Sequence, residues 1–179
     1  MGHRETSEFV RVAEIDVERR EGDGEKARDL ATTLVAELEA DRSSFRAPQL
    51  RAVALSASAM ATLRYDEVAA AAYLRRAVVE ARRSRDMPIA AIVATAFASV
   101  AAQDGDLELA ARRLGATRQI RGADDLGNCD AITLADSLAD ALGRDRFEVL
   151  FAEGAGLSRE DALALAVPEE GAGEGEVSG

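Results

Sequence analysis

Three short segments, EGDGEKA at 21–27, TLRYDEV at 62–68 and DGDLELA at 104–110, recur at spacings of 41 and 42 residues. Each leads into an apolar, alanine-rich run with helical periodicity. One helix hairpin cannot bury its own apolar face, so a repeat of this length requires stacked hairpins with a shared core and an extended surface. Such a surface suits recognition of another molecule rather than chemistry.

At 179 residues the chain is long enough for one domain with a true core. Glycine and proline are scarce between residues 25 and 104, and the β-branched and aromatic alternation of strands is missing, so the fold class is all-α. Aromatics make up only 4% and alanine fills many apolar positions, which brings core helices close together. No uncharged apolar run reaches 18 residues, and the first residues, MGHRETSEF, lack the apolar stretch of a signal peptide. The expectation is a soluble cytoplasmic protein with no membrane partner. Cys129 is the only cysteine, which rules out an internal disulfide and predicts a buried or idle thiol. The net charge of -11 repels phosphate backbones and argues against direct nucleic-acid binding. Arginine supplies every basic residue except Lys26, which together with abundant alanine points to a high-GC genome.

The spacing predicts a first helix over Thr6 to Glu21, with Phe9, Val12, Ala13 and Val17 on its apolar stripe, and a second over Glu25 to Ala40. Asp41 to Ala47 reads as a connector. Pro48 opens a third helix running to Leu63, and a fourth spans Asp66 to Arg85, ending in arginines that suit a helix C-terminus. A fifth begins at Pro88 and a sixth covers Leu107 to Ile120. Residues 121–129 read as a loop. Two shorter helices follow, the first with a stripe of Ile132, Ala135, Leu138, Ala139 and Leu142, the second weighted by Phe147, Leu150 and Phe151. Ser158 with Asp161 forms a shortened capping box for a last helix through Ala166. Residues 1–127 are thus expected as the repeat array, 128–167 as a helical cap of the same domain, and 168–179 as a disordered acidic tail.

Ala98, Gly105 and Ala110, with Phe97 and Leu114 beside them, follow the order of small residue, turn glycine and alanine seen in the tetratricopeptide repeat, which this pair resembles. In the second pair Leu55, Ser56 and Val68 take those places, with Leu63 where glycine would be. The period exceeds the ~34 residues usual for that repeat. The resemblance implies an α-solenoid of about three antiparallel hairpins closed by the cap. A second resemblance covers roughly 55 residues: Arg113-Leu114-Gly115-Ala116, Leu142-Gly143 with Phe147, Glu153-Gly154, Leu157-Ser158, and Asp161-Ala162-Leu163 with Leu165-Ala166. It is similar to the C-terminal end of LuxR-type and antibiotic-regulatory-type transcriptional regulators of high-GC bacteria. Comparable segments also end related signalling proteins.

In tetratricopeptide arrays the first helix of each pair lines the concave face, and the resemblance maps Val53, Ala57, Met60, Thr95, Ser99 and Gln103 there. A partner protein or peptide is the expectation, with the amide and hydroxyls bonding to its backbone. The bland reading is that the small residues only let helices approach closely. Alternatives are a small molecule or signalling peptide sensed between hairpins, and self-association into a homo-oligomer. Arg75, Arg76, Arg82 and Arg83 form a candidate anion clamp, weighed against a solvated face paired with neighbouring acids. Gly24-Glu25-Lys26-Ala27 lacks the glycine and Ser/Thr of a phosphate loop. His3 is the only histidine, far from Cys129, so the residues offer no catalytic constellation, cofactor site or metal site, and the chain reads as non-enzymatic.

Overall fold

The computed structural model describes residues 2–40, 47–123 and 127–167, with residues 2–8 described by backbone alone. The expected connector apart from Ala47, part of the 121–129 loop, the His3 side chain and the acidic tail lie outside the described residues. Among those described, the chain forms nine helices and no strand: α1 (Gly2–Glu21), α2 (Gly24–Ala40), α3 (Pro48–Thr62), α4 (Glu67–Ser84), α5 (Met87–Gln103), α6 (Leu107–Arg121), α7 (Cys129–Leu142), α8 (Arg144–Ala155) and α9 (Arg159–Ala166). The expected all-α class holds. The contacts group into two compact units, Met1–Ala96 and Phe97–Gly179.

In the first unit α1 packs on α2 and α3, α2 on α3, and α3 most extensively on α4. Ile15, Leu34, Leu38, Leu55 and Leu74 fill its core. Ion pairs tie neighbouring helices at the edges: Arg11 to Glu37, Arg76 Nη1 to Glu39 Oε1 at 2.8 Å, and Arg51 Nε to the buried Glu80 Oε1 at 3.3 Å.

Helix α1 departs from the expected stripe. Val12 is buried, with Ile15 beside it, whereas Phe9 and Val17 remain more than half exposed and Ala13 is exposed between them. Residues 12 and 15 face the neighbouring helices. Residues 9, 13 and 17 form a second apolar stripe about a third of a turn away, at 3.6 residues per turn, and the contacts of α1 leave it uncovered.

The recurring segments have a common physical content. Asp23 Oδ1 accepts from the amides of Glu25 and Lys26 at 2.8 and 3.3 Å, Asp66 Oδ1 from Ala69 at 2.9 Å, and Asp106 Oδ1 from Leu109 at 3.0 Å. Each aspartate therefore satisfies amides at the start of α2, α4 or α6 that have no partner within their own helix. Four residues on, Ala27, Ala70 and Ala110 are each fully buried. Aligned on these caps, the spacings become 43 and 40 residues. Val68, expected at the alanine position of the second copy, is instead 79% exposed, and Ala70 takes that place.

The turns themselves account for this shift. Gly105, at φ +85°, donates to Ala102 O at 3.2 Å while Asp106 N reaches back to Ala101 O at 2.9 Å, a glycine-dependent helix stop. The second turn has no glycine, and Tyr65 N and Asp66 N both donate to Thr62 O, at 2.8 and 2.9 Å. Tyr65 then lies against the start of α2: a Cβ on Gly24 would stand 2.5 Å from its hydroxyl, and the Arg28 guanidinium lies 5.0 Å from its ring centroid. The first two turns are thus in contact within the first unit.

The second unit is organised around α6, which packs on α7, α8 and α9. Ala98 and Ala101 of α5 join Ala110, Ala111 and Leu114 of α6, Leu138 of α7 and Leu150 of α8 in its core, with Phe147 and Phe151 packed against it. α6 and α8 cross backbone to backbone. A Cβ on Gly115 would stand 2.0 Å from Phe151 O, and one on Gly154 would stand 1.9 Å from Arg112 O. Arg113 ties α9 into this unit: its Nε donates to Leu165 O at 3.1 Å and its Nη1 to Phe97 O at 3.3 Å. The Leu165 carbonyl lies in the last turn of α9, where carbonyls lack intrahelical donors. Ser158 caps α9 by accepting from Asp161 N at 3.1 Å, and its hydroxyl donates to Asp161 Oδ2 at 2.6 Å.

Gly→Ala in an exposed helix interior stabilises by about 0.5–1 kcal/mol. At the α6–α8 crossing the sign reverses: G115A and G154A are each expected to destabilise by ~1–3 kcal/mol or more, because the added methyl meets backbone that cannot yield locally. Urea unfolding of the two variants checks this, and a gain in stability for either would remove the close crossing. Loss of a capping aspartate, in D66A or D106A, is expected to cost about 0.5–2 kcal/mol, with Asn retaining most of the stability.

Candidate interaction surface

The sequence of α3, PQLRAVALSASAMAT, uses small residues on nearly every side, so helices can close on it from several directions. Beyond Gln49, only Arg51, Val53 and Met60 of α3 escape burial after its opening proline. Arg51 is committed to Glu80. Val53 and Met60 are seven residues apart, which is two turns or about 10 Å along one side of the helix. Ala57 sits between them on the same stripe and is 6% exposed. Three of the six residues mapped to a partner surface therefore share one side of α3, Val53 and Met60 partly buried and Ala57 buried between them.

The other three lie on α5 and are less alike. Thr95, in the first unit, is buried, and its hydroxyl donates to Ala91 O at 3.0 Å. Its oxygen serves the helix backbone, and Ile92 is the half-buried residue of that stretch. Ser99 and Gln103, in the second unit, stand one turn apart, half-buried and exposed respectively.

Ser56, Ser58 and Thr62 of α3 are buried, and none of their hydroxyls has a hydrogen-bond partner. Thr95 and Thr117 meet the same problem by donating to a carbonyl of the preceding turn. An unpaired buried hydroxyl carries a desolvation cost of about 1–3 kcal/mol.

The charged candidates resolve into structural pairs. Of the four clustered arginines of α4, Arg76 is held by Glu39 and Arg83 Nη1 lies 3.4 Å from Glu80 Oε1. At 24–27 the amides a phosphate would need are taken by Asp23, and the Lys26 ammonium is bonded to Glu18, which holds the Glu18 carboxyl below its ordinary value and raises the lysine. On the other unit, Glu108 accepts from Arg146 of α8 and Arg112 of α6, and the hydrogen bond from Arg146 is the main cause that lowers its pKa. Burial lowers the pKa of Arg113, while Asp106 and Asp104 push it back up. Cys129 is exposed at the first position of α7, not buried. Among the described residues no group of three or more His, Cys, Asp or Glu is placed to hold a metal ion, and no helix is long and apolar enough to cross a membrane.

Sequence reasoning missed two features, one in each unit. The uncovered α1 stripe of Phe9, Ala13 and Val17 was legible as an apolar stripe, but its period alone does not say which side meets the core. The tie from Arg113 to two backbone carbonyls leaves no pattern in sequence, because the acceptors are main-chain atoms.

In comparisons with known proteins, no family model, no curated protein and no solved structure matches the chain.

S58A removes a buried unpartnered hydroxyl while keeping the Cβ, and is expected to be neutral or stabilising by up to about 1 kcal/mol. Urea midpoints decide it, and a clear destabilisation would show that the hydroxyl has a partner. The Glu108 pairs make a pH-dependent contribution of defined sign. Its folded pKa lies below the ordinary 4.5, so the stabilisation is present above that value and is lost as pH falls through the folded pKa. E108Q is therefore expected to reduce slightly the loss of stability below pH 4.5 in a denaturation series, the difference from the parent chain being small because the pairs are exposed.

Proposed function

We propose that this chain is a non-enzymatic helical repeat module that binds a protein or peptide segment, organised as a tetratricopeptide-like α-solenoid with a helical cap. It belongs, in this reading, to a cytoplasmic transcriptional regulator of a high-GC bacterium. The observation that carries the binding role is the α3 stripe: two partly buried apolar side chains, Val53 and Met60, flanking the buried Ala57, on a helix otherwise almost wholly covered. Apolar anchors spaced by two turns around a small residue suit the apolar face of a partner segment. Supporting the repeat organisation are Asp23, Asp66 and Asp106, which cap the second helix of each hairpin and are each followed four residues later by a fully buried alanine; Asp86 caps α5 in the same way.

The charge distribution bears on the partner. Residues 1–96 carry 16 acidic and 15 basic side chains, whereas residues 97–179 carry 17 and 7, so the net charges are -1 and -10. The acidic second unit disfavours contact with a nucleic acid, and the near-neutral unit that carries α3 suits apolar recognition.

The test replaces both apolar anchors in V53E/M60E and separately inserts a photo-crosslinking side chain at Met60. The expected result is crosslinking to a discrete partner in cell extract, and loss of capture of that partner by at least about tenfold, or 1.4 kcal/mol, in the charged variant. Undiminished capture by a V53E/M60E chain with intact helical circular dichroism would eliminate this face. A second reading, a small polar ligand sensed between helices, draws on the unpartnered hydroxyls of Ser56, Ser58 and Thr62. It predicts that a metabolite raises the melting temperature by mass action in the parent chain and does so less in S56A/S58A.

A further inference from the structure

We draw no further inference here: the strongest candidate, the exposed apolar stripe of Phe9, Val10, Ala13 and Val17 along the outer face of α1, carries none because nothing in the structure shows what covers it.

Discussion

Two missing side chains set the spacing of the second unit. At Gly115 and Gly154 the backbones of α6 and α8 approach so closely that a Cβ on either would overlap a carbonyl of the other helix. Close approach multiplies weak dispersion attractions along both helices, which individually contribute only ~0.1–0.2 kcal/mol. It also explains why small residues such as Ala110 and Ala111 line the contact beside Leu114, Leu138 and Leu150: the helices leave little volume between them. The cost is glycine's extra conformational freedom in the unfolded chain, about 0.5–1 kcal/mol at each site relative to alanine. Dispersion summed along α6 and α8 must exceed that cost for the crossing to be favourable. The ion pairs of Arg112 with Glu153 and of Arg146 with Glu108 lie at the exposed margin of the same crossing, where such pairs contribute little and chiefly fix orientation.

A different constraint recurs at the turns. Each capping aspartate satisfies the first amides of a helix, and the alanine one turn later is fully buried. The two requirements are coupled through the chain: the cap fixes where the helix begins, and that start fixes which residue points inward four positions on. A shift of cap by one residue would rotate the buried set by about 100° and expose it. Asp followed four residues later by a buried Ala is therefore shared by the three turns, and it also opens α5 at Asp86 and Ala90, while the turn residues before it vary between Gly105 and Tyr65.

This coupling explains what could be read from the sequence and what could not. Helix order, the all-α class and most helix ends were legible, because Pro48, Gly105, Gly122 and the arginine-rich end of α4 act locally. The register of the second repeat was not, since Val68 falls at the expected spacing and Leu63 stands where glycine would be, while the true determinant is the Asp66 cap two residues before Val68. The α1 stripe failed for another reason: Phe9 and Val12 are both apolar, and only the placement of α2 and α3 decides between them. Gly115 and Gly154 were visible as letters of a recurring pattern, but a sequence gives no sign that two glycines 39 positions apart meet.

For the candidate surface the same distinction holds. Val53, Ala57 and Met60 follow one helical stripe, so their common side of α3 was a matter of period; Val53 and Met60 are partly buried there and Ala57 is buried. Thr95 is the instructive exception. It shares the four-residue step of Ser99 and Gln103, yet it is buried and its hydroxyl is spent on Ala91 O, whereas Ile92 keeps partial exposure. Spacing places a residue on a side of a helix, but whether its polar group is offered outward depends on the nearest unsatisfied acceptor, and within a helix that is the carbonyl one turn back. The apolar members of such a face are thus the firmer basis for recognition. They have no alternative internal partner, and their exposure is set by packing alone.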